Sequence, residues 1–242
     1  MGLIDLANPS RFLAFSRRLL QVLVPVTAAA FVAGLYLAFF VAPDDYQQGA
    51  TVRIMFIHVP AAWLGMMCWV VMSIAALGTL VWRHPLADVA LKTAAPIGAA
   101  FTFICLFAGS MWGRPMWGTY WVWDARLTSV LIMFLMYLGL IALWRAVDDP
   151  SRAGRAAAIL TLVGAINLPI IKFSVDWWNT LHQPASVIRS GGPAIHPTIL
   201  LPLLAMALAF TLLFVTLHVA AMRNEILRRR VRTLRLIQAE AA

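Results

Sequence analysis

The sequence predicts an all-α integral membrane protein, a bundle of six transmembrane helices that forms a single domain over residues 1–242. Composition supports this class, because 62% of the 242 residues are hydrophobic and only 12% are charged. Soluble domains carry about 25% charged residues. The other observation is a set of six long apolar runs, and a helix needs roughly 20 apolar residues to cross a membrane.

The six runs follow one another along the chain with polar connections between them. The first is longer than the apolar part of a signal peptide and has no small-residue cleavage site after it, so we expect it to remain as a helix. The second is long enough to tilt in the bilayer or to begin as an interfacial turn. The runs are Leu19–Val41, Ile54–Trp82, Thr93–Trp112, Leu127–Trp144, Ala156–Val175 and Pro197–Met222.

The distribution of positive charge predicts the orientation. Fourteen of the 19 lysines and arginines fall on one side of the predicted spans. By the positive-inside rule both termini, 1–18 and 223–242, are cytoplasmic, and the loops at 42–53, 113–126 and 176–196 face the periplasm. We expect a bacterial inner membrane protein whose Arg-rich tail is a solvated or headgroup-facing helix end. Topology thus explains most of the net charge of +9, and no nucleic-acid partner is needed.

Several functional classes are excluded by missing motifs. Cys68 and Cys105 both lie inside apolar runs, so the sequence indicates neither a disulfide framework nor a zinc site. It contains no CxxCH, so the chain is not itself a c-type cytochrome. It also has no phosphate-binding loop and no recognisable catalytic triad, so we do not expect an enzyme.

One segment, "WGRPMWGTYWVWDARLTS" at 112–129, concentrates four tryptophans between two apolar runs. Tryptophans are common in the interfacial belt of membrane proteins, but belt residues are scattered over several helices and these are not. If the chain after Gly118 is helical, Trp117, Trp121 and Asp124 share one face and offer a stacking surface. Asp124 is alternatively the N-cap of the fourth span.

Three histidines lie on the side predicted to face the periplasm. His58 occurs in "FIHVPAAW", where Pro60 suits the first turn of a helix and places His58 at the outer mouth of the second span. His182 follows the fifth span, and His196 opens the sixth. A single histidine here is typical of an interface, whereas two at one depth beside an aromatic segment favour metal ligation.

A flat apolar ligand that carries carboxylates and a metal would use all of these residues together. Haem is such a ligand, and we expect haem b: tryptophans cover its faces, arginines pair with its propionates and two histidines bind the iron. Arg53 and Arg126 are the first candidates for the propionates, with Arg114 and Arg189 as reserves. Lys172 lies inside the fifth span and is expected to extend to the interface, as lysines there commonly do.

The tryptophan segment, with "IHVPAAW" before it and "WWNTLHQP" after it, resembles the tryptophan-rich signature of the haem exporter protein C family of cytochrome c maturation. The resemblance extends from about Ala42 to the end of the sixth span. It implies that His58 and His182 are axial ligands of the iron. It also implies a haem platform, built by Trp112, Trp117, Trp121, Trp123 and Asp124.

The resemblance further implies a function and a set of partners. A member of this family binds haem at the periplasmic face and delivers it to a periplasmic haem chaperone, cytochrome c maturation protein E. A small membrane protein D and the subunits A and B of an ATP-driven transporter would complete the system.

Two other membrane functions make different demands on the sequence. A cytochrome b subunit needs histidines deep in facing helices, and His218 is the single candidate on the inner side. A transporter or permease subunit that exports haem would have polar or broken helices at mid-depth. The hints of such a path are Pro25, Pro96, Asn167 and Pro169.

Overall fold

A computed structural model describes residues 7–241, so the parts of the predicted termini at 1–6 and 242 lie outside it. Within the described residues the fold is all-helical, with no strand, and six helical segments are long and apolar enough to cross a membrane. This confirms an all-helical fold with six segments that can span a membrane. The helices are α1 (Pro9–Tyr36), α2 (Met55–Leu80), α3 (Ala87–Trp117), α4 (Ala125–Ala146), α5 (Pro150–Gly164), α6 (Asn167–Trp177) and α7 (Pro197–Glu240).

Most helices extend beyond the apolar runs that predict them. Asn8 caps α1 well before the first run, since its side chain accepts hydrogen bonds from the backbone N–H groups of Ser10 and Arg11. A short π-helix, Leu37–Val41, continues α1, and a 3₁₀-helix, Ala50–Ile54, leads into α2. Apolar runs mark the part of a helix that lies in hydrocarbon, and polar turns can continue it on either side.

The fifth span is broken into two helices. Its first part, α5, ends at Gly164 and its second part, α6, begins at Asn167. Pro169 explains the break, because it cannot donate to the carbonyl of Ala165 and its ring would clash there. The Asn167 amide instead donates to the backbone carbonyl of Ser129 in α4, at 2.8 Å. Since α5 packs against α2 and α4 while α6 packs against α4, space opens between α6 and α2.

A layer of aromatic side chains closes the middle of the bundle. Trp69 and Tyr137 are fully buried and meet edge to face, with ring centroids 4.7 Å apart. The Trp69 indole donates to the carbonyl of Thr161, and the Tyr137 hydroxyl donates to a backbone carbonyl of α2. Two glycines make room for these rings. A Cβ at Gly98 would lie 2.3 Å from the Tyr137 ring, and one at Gly164 would lie 2.4 Å from the Trp69 ring.

At one end of the bundle α7 is joined to α3 by partly buried ion pairs. Glu225 accepts from the Lys92 ammonium at 2.8 Å and from the Arg229 guanidinium at 2.9 Å, and Arg229 also pairs with Asp88 at 2.7 Å. Beyond Arg230 the tail of α7 is exposed. The first turns of the Arg-rich segment are therefore packed against the bundle, and the remainder is exposed.

Candidate functional site

A cavity of about 920 Å³ lies at the opposite end of the bundle. Its walls come from α2, α3, α4 and α6, and its mouth from the segments 43–48 and 181–188 together with the start of α7. Small-molecule sites have volumes of roughly 300–1,000 Å³, so this cavity can hold a large cofactor. Gly65, Thr102 and Met133 form its floor, directly against the Trp69–Tyr137 layer.

His58 lines this cavity from the first turn of α2. Its Nδ1 lies 3.0 Å from the backbone carbonyl oxygen of Cys105. A carbonyl can only accept, so Nδ1 carries the proton and Nε2 keeps its lone pair. Gly109 allows α3 to come this close, because a Cβ there would lie 2.8 Å from the His58 ring. The prediction for Pro60 was wrong in detail, since α2 begins at Met55 and Pro60 lies in its second turn.

His182 lines the same cavity from the connection after α6. Its Nδ1 lies 3.2 Å from Oδ2 of Asp124, so the imidazole donates to a carboxylate and again leaves Nε2 free. Burial lowers the pKa of His182, an effect that Asp124 opposes and Arg126 reinforces. A pKa below the ordinary value of about 6.5 favours the neutral ring at neutral pH. A histidine that donates its other N–H to a carboxylate is a common arrangement around metals.

Asp124 has two roles at once. Its Oδ2 contacts His182, while its Oδ1 accepts the backbone N–H of Leu127 at 2.7 Å and so caps α4. The shared face was expected only if the chain after Gly118 is helical, and that condition is not met: Gly118 adopts a left-handed conformation with φ of 75° and ends α3. Residues 118–124 are not helical, so the shared helical face does not exist. Asp124 lies behind His182 and is not part of the cavity lining.

Three of the four predicted tryptophans line the cavity. Trp112 and Trp117 lie in the last turns of α3, and their rings meet those of His58 and His182 edge to face, with centroids 5.7 Å and 4.8 Å apart. Trp121 lies in the connection to α4, and its buried Nε1 has no partner among the described residues. Trp123 packs against Trp121 but is 75% exposed and lies outside the lining.

The structure separates the two arginines proposed for the propionates. Arg126 lines the cavity, and its guanidinium donates to the Ser174 hydroxyl at 3.1 Å and to the Lys172 carbonyl at 3.4 Å. Arg53 lies outside the lining and forms an ion pair with Asp44 at the mouth. The two reserve arginines also lie outside the lining. Arg114 donates to the backbone carbonyl of Gly118, and Arg189 follows the mouth segment 181–188.

Two features of the lining were missed from the sequence. Lys172, which we expected to extend to the interface, lies in the cavity wall. Gln48 also lines the cavity, and its side chain accepts from the Trp112 indole at 3.1 Å. The spacing of Lys172 and Asp176, one turn apart in α6, could have indicated that Lys172 lies on a polar face of this helix. The position of Gln48 depends on loop packing that the sequence does not display.

His196 is a third histidine of the lining and differs from the other two in its hydrogen bonds. It caps α7: its Nδ1 accepts the backbone N–H of Thr198 at 3.4 Å and lies 2.9 Å from the Thr198 hydroxyl. The Nδ1 lone pair that accepts in this cap is engaged with Thr198, and the neutral ring then carries its proton on Nε2. The geometry therefore distinguishes His58 and His182 from His196.

Known proteins are similar to this chain over nearly its whole length. The family profile described as "Heme exporter protein C" matches residues 2–237. A protein of that name from Bradyrhizobium diazoefficiens is 76% identical over 239 residues, which cover 99% of this chain and 90% of the relative. Another from Escherichia coli K12 is 47% identical over 223 residues, covering 92% of this chain and 90% of the relative.

A plant protein is also similar. The "Putative cytochrome c biosynthesis ccmC-like mitochondrial protein" of Marchantia polymorpha is 44% identical over 207 residues, which cover 86% of this chain and 88% of the relative. The match of the profile to almost every residue, together with these identities, confirms the resemblance drawn from the tryptophan segment and its flanking histidines. The chain belongs to the Heme exporter protein C family.

Proposed function

We propose that this protein binds haem in the cavity, with Nε2 of His58 and Nε2 of His182 as the axial ligands of the iron. It then delivers the haem to a periplasmic haem chaperone for the biogenesis of c-type cytochromes. The observation that carries the proposal is the shared tautomer of the two histidines, each with Nδ1 donating to an oxygen and Nε2 free, in one cavity. The names of the relatives support haem as the ligand.

The donor set of the cavity suits haem better than a bare metal ion. The described residues contain no group of three or more histidine, cysteine or acidic side chains that could hold a metal. A porphyrin supplies four nitrogen ligands of its own and needs only two from the protein. The rings of Trp112, Trp117 and Trp121 add flat apolar surface for the macrocycle.

The remaining candidates have distinct roles in this proposal. Asp124 orients His182 and increases its basicity through the hydrogen bond to Nδ1. Arg126 binds a propionate from the cavity wall. Arg53, held by Asp44 at the mouth, reaches a propionate only by exchanging that partner. The exposed Trp123 extends the platform at the rim, where a haem acceptor would dock.

The charge distribution supports a periplasmic orientation for the cavity. The ion-pair end of the bundle also carries the Arg-rich tail of α7, as the cytoplasmic ends of membrane proteins commonly do. We infer that the opposite end, with the cavity, faces the periplasm of the inner membrane and the chaperone, cytochrome c maturation protein E. Protein D and the transporter subunits A and B are the proposed membrane partners.

Haem export by this chain itself is a second candidate. The break between α5 and α6 favours it, because broken helices at mid-depth are common in transporters. The buried Trp69–Tyr137 layer opposes it, since it closes the bundle under the floor of the cavity. Proteoliposomes loaded with haem separate the two functions: a receptor leaves the enclosed haem in place, and an exporter transfers it to apo-chaperone added outside.

The direct test of the proposed function uses the full chain in lipid nanodiscs. The protein is titrated with haem and then mixed with the purified apo-chaperone. We expect a low-spin, six-coordinate absorption spectrum, followed by movement of the haem to the chaperone. A wild-type protein that binds no haem would contradict the proposal, and one that binds haem but never transfers it would contradict the delivery step.

A further inference from the structure

We propose that Lys172 and Arg126 form a two-cation clamp that binds the carboxylates of haem along the wall made by α4 and α6. This inference rests on the proposed function and extends it by assigning a carboxylate-recognition role to Lys172. Among the described residues that line the cavity, Lys172 is the one lysine and Arg126 is the one arginine. They lie on the neighbouring helices α6 and α4. Haem carries two propionates, so one cation is available for each.

Hydrogen bonds hold the guanidinium of Arg126 against the backbone of Lys172. The Arg126 guanidinium donates through Nη2 to the backbone carbonyl of Lys172, at 3.4 Å, and through Nε to the Ser174 hydroxyl, at 3.1 Å. These contacts fix the guanidinium against α6 at the base of the Lys172 side chain. Its Nη1 makes no hydrogen bond to the described residues, so one edge of the fork remains available to a carboxylate.

Lys172 is also available, because its ammonium has no ion-pair partner among the described residues and the residue is exposed. The other lysine of the chain, Lys92, shows the contrast, since it is bound to Glu225 at the far end of the bundle. A lysine at this depth commonly extends to the headgroups when nothing else binds it. A dicarboxylate in the cavity offers a closer partner.

The acidic residues of the lining favour the same orientation. Asp44 and Asp45 lie in the mouth segment, and Asp176 lies one turn beyond Lys172 towards the mouth. Arg53 neutralises Asp44, so the charge of Asp45 remains at the mouth and disfavours a ligand carboxylate there. Asp124 and Asp176 both stabilise the charge of Arg126, so Lys172 is the cation of this wall that has no carboxylate partner among the described residues.

The clamp predicts that the affinity for the ligand depends on its carboxylates. Axial ligation of the iron and stacking on the ring do not require them. The probes are haem and haem dimethyl ester, which keeps the iron and the ring but has no ionisable carboxylate. The full-length protein is reconstituted in nanodiscs of uncharged lipid, and the dissociation constant of each probe is measured for the wild type, Lys172→Met and Lys172→Arg. Arg189→Met is the matched control, since it removes a cation outside the cavity lining.

We expect Lys172→Met to weaken the binding of haem by roughly fivefold or more, the scale of one partly exposed ion pair, and to leave binding of the ester unchanged. Lys172→Arg should restore binding of haem, and Arg189→Met should match the wild type.

Equal binding of haem by the wild type and Lys172→Met would overturn the clamp, with Lys172 then assigned to the lipid headgroups. An equal loss for haem and ester would overturn it as well, because Lys172 would then act through the fold. Failure of the wild type to bind haem at all would overturn the proposed function and the clamp together.

Discussion

The position of one proton decides which histidines of the cavity can bind iron. His58 and His182 face an oxygen acceptor at Nδ1, whereas His196 faces a backbone N–H donor. The first two rings therefore present a lone pair at Nε2, whereas Nδ1 of the third is engaged with Thr198 in the cap of α7. Sequence reasoning also selected the first two, but on depth and resemblance alone. The hydrogen-bond partners come from residues as distant as Cys105 and Asp124, which no local pattern connects to them.

The first prediction concerns Asp124, which both orients His182 and caps α4. Asp124→Ala should weaken the binding of haem by about tenfold or more, because loss of the hydrogen-bond partner of a metal ligand commonly costs 10–100-fold. Haem titration of the purified protein measures it. Asp149→Ala is the control, since Asp149 caps α5 in the same way and contacts no histidine. If both variants weakened the binding of haem equally, Asp124 would act as a helix cap and not through His182.

The second prediction concerns the tryptophans. Trp117→Ala combined with Trp121→Ala should lower the ratio of haem to purified protein several-fold, since each stacking contact is worth about 0.5–1.5 kcal/mol beyond its buried area. Trp177→Ala combined with Trp178→Ala is the matched control, because both rings are about half exposed and lie outside the cavity. If protein yield and bound haem fall in parallel in the first pair, those tryptophans serve the fold.

At the scale of helices, the apolar runs predicted where spans lie but not where helices end or break. The run at 156–175 reads as one span, and the structure divides it between Gly164 and Asn167. Pro169 was visible in the sequence, yet prolines in membrane helices can also be accommodated without a break. Likewise Gly118 ends α3 because it adopts a positive φ, which a pattern of tryptophans cannot indicate.

The third prediction tests the aromatic layer beneath the cavity. Gly98→Ala should destabilise the protein by about 1–3 kcal/mol, the usual cost of overpacking, because its Cβ would lie 2.3 Å from the Tyr137 ring. Thermal unfolding in detergent and the yield of monodisperse protein measure the effect. Gly139→Ala is the control on α4, since a Cβ there meets nothing within 4 Å. Unchanged stability of the Gly98 variant would mean that the layer is loosely packed.

At the scale of the whole molecule, the two ends of the bundle differ in chemistry. One end is closed by the ion pairs of Glu225 and Arg229, the middle by the Trp69–Tyr137 layer, and the other end opens as a cavity. Composition and charge were sufficient to predict six spans and two unlike ends. They could not predict the cavity, because it depends on α6 diverging from α2 after the break.

The account depends most on His58 and His182 acting as a pair on one iron. The measurement is the absorption spectrum of haem bound to the purified wild type and to His58→Ala, His182→Ala and His196→Ala, each with and without added imidazole. We predict a six-coordinate, low-spin spectrum for the wild type and His196→Ala. The other two variants should become five-coordinate and regain the low-spin spectrum with imidazole. Unchanged spectra in both His58→Ala and His182→Ala, or the loss of one ligand in His196→Ala instead, would contradict the central claim.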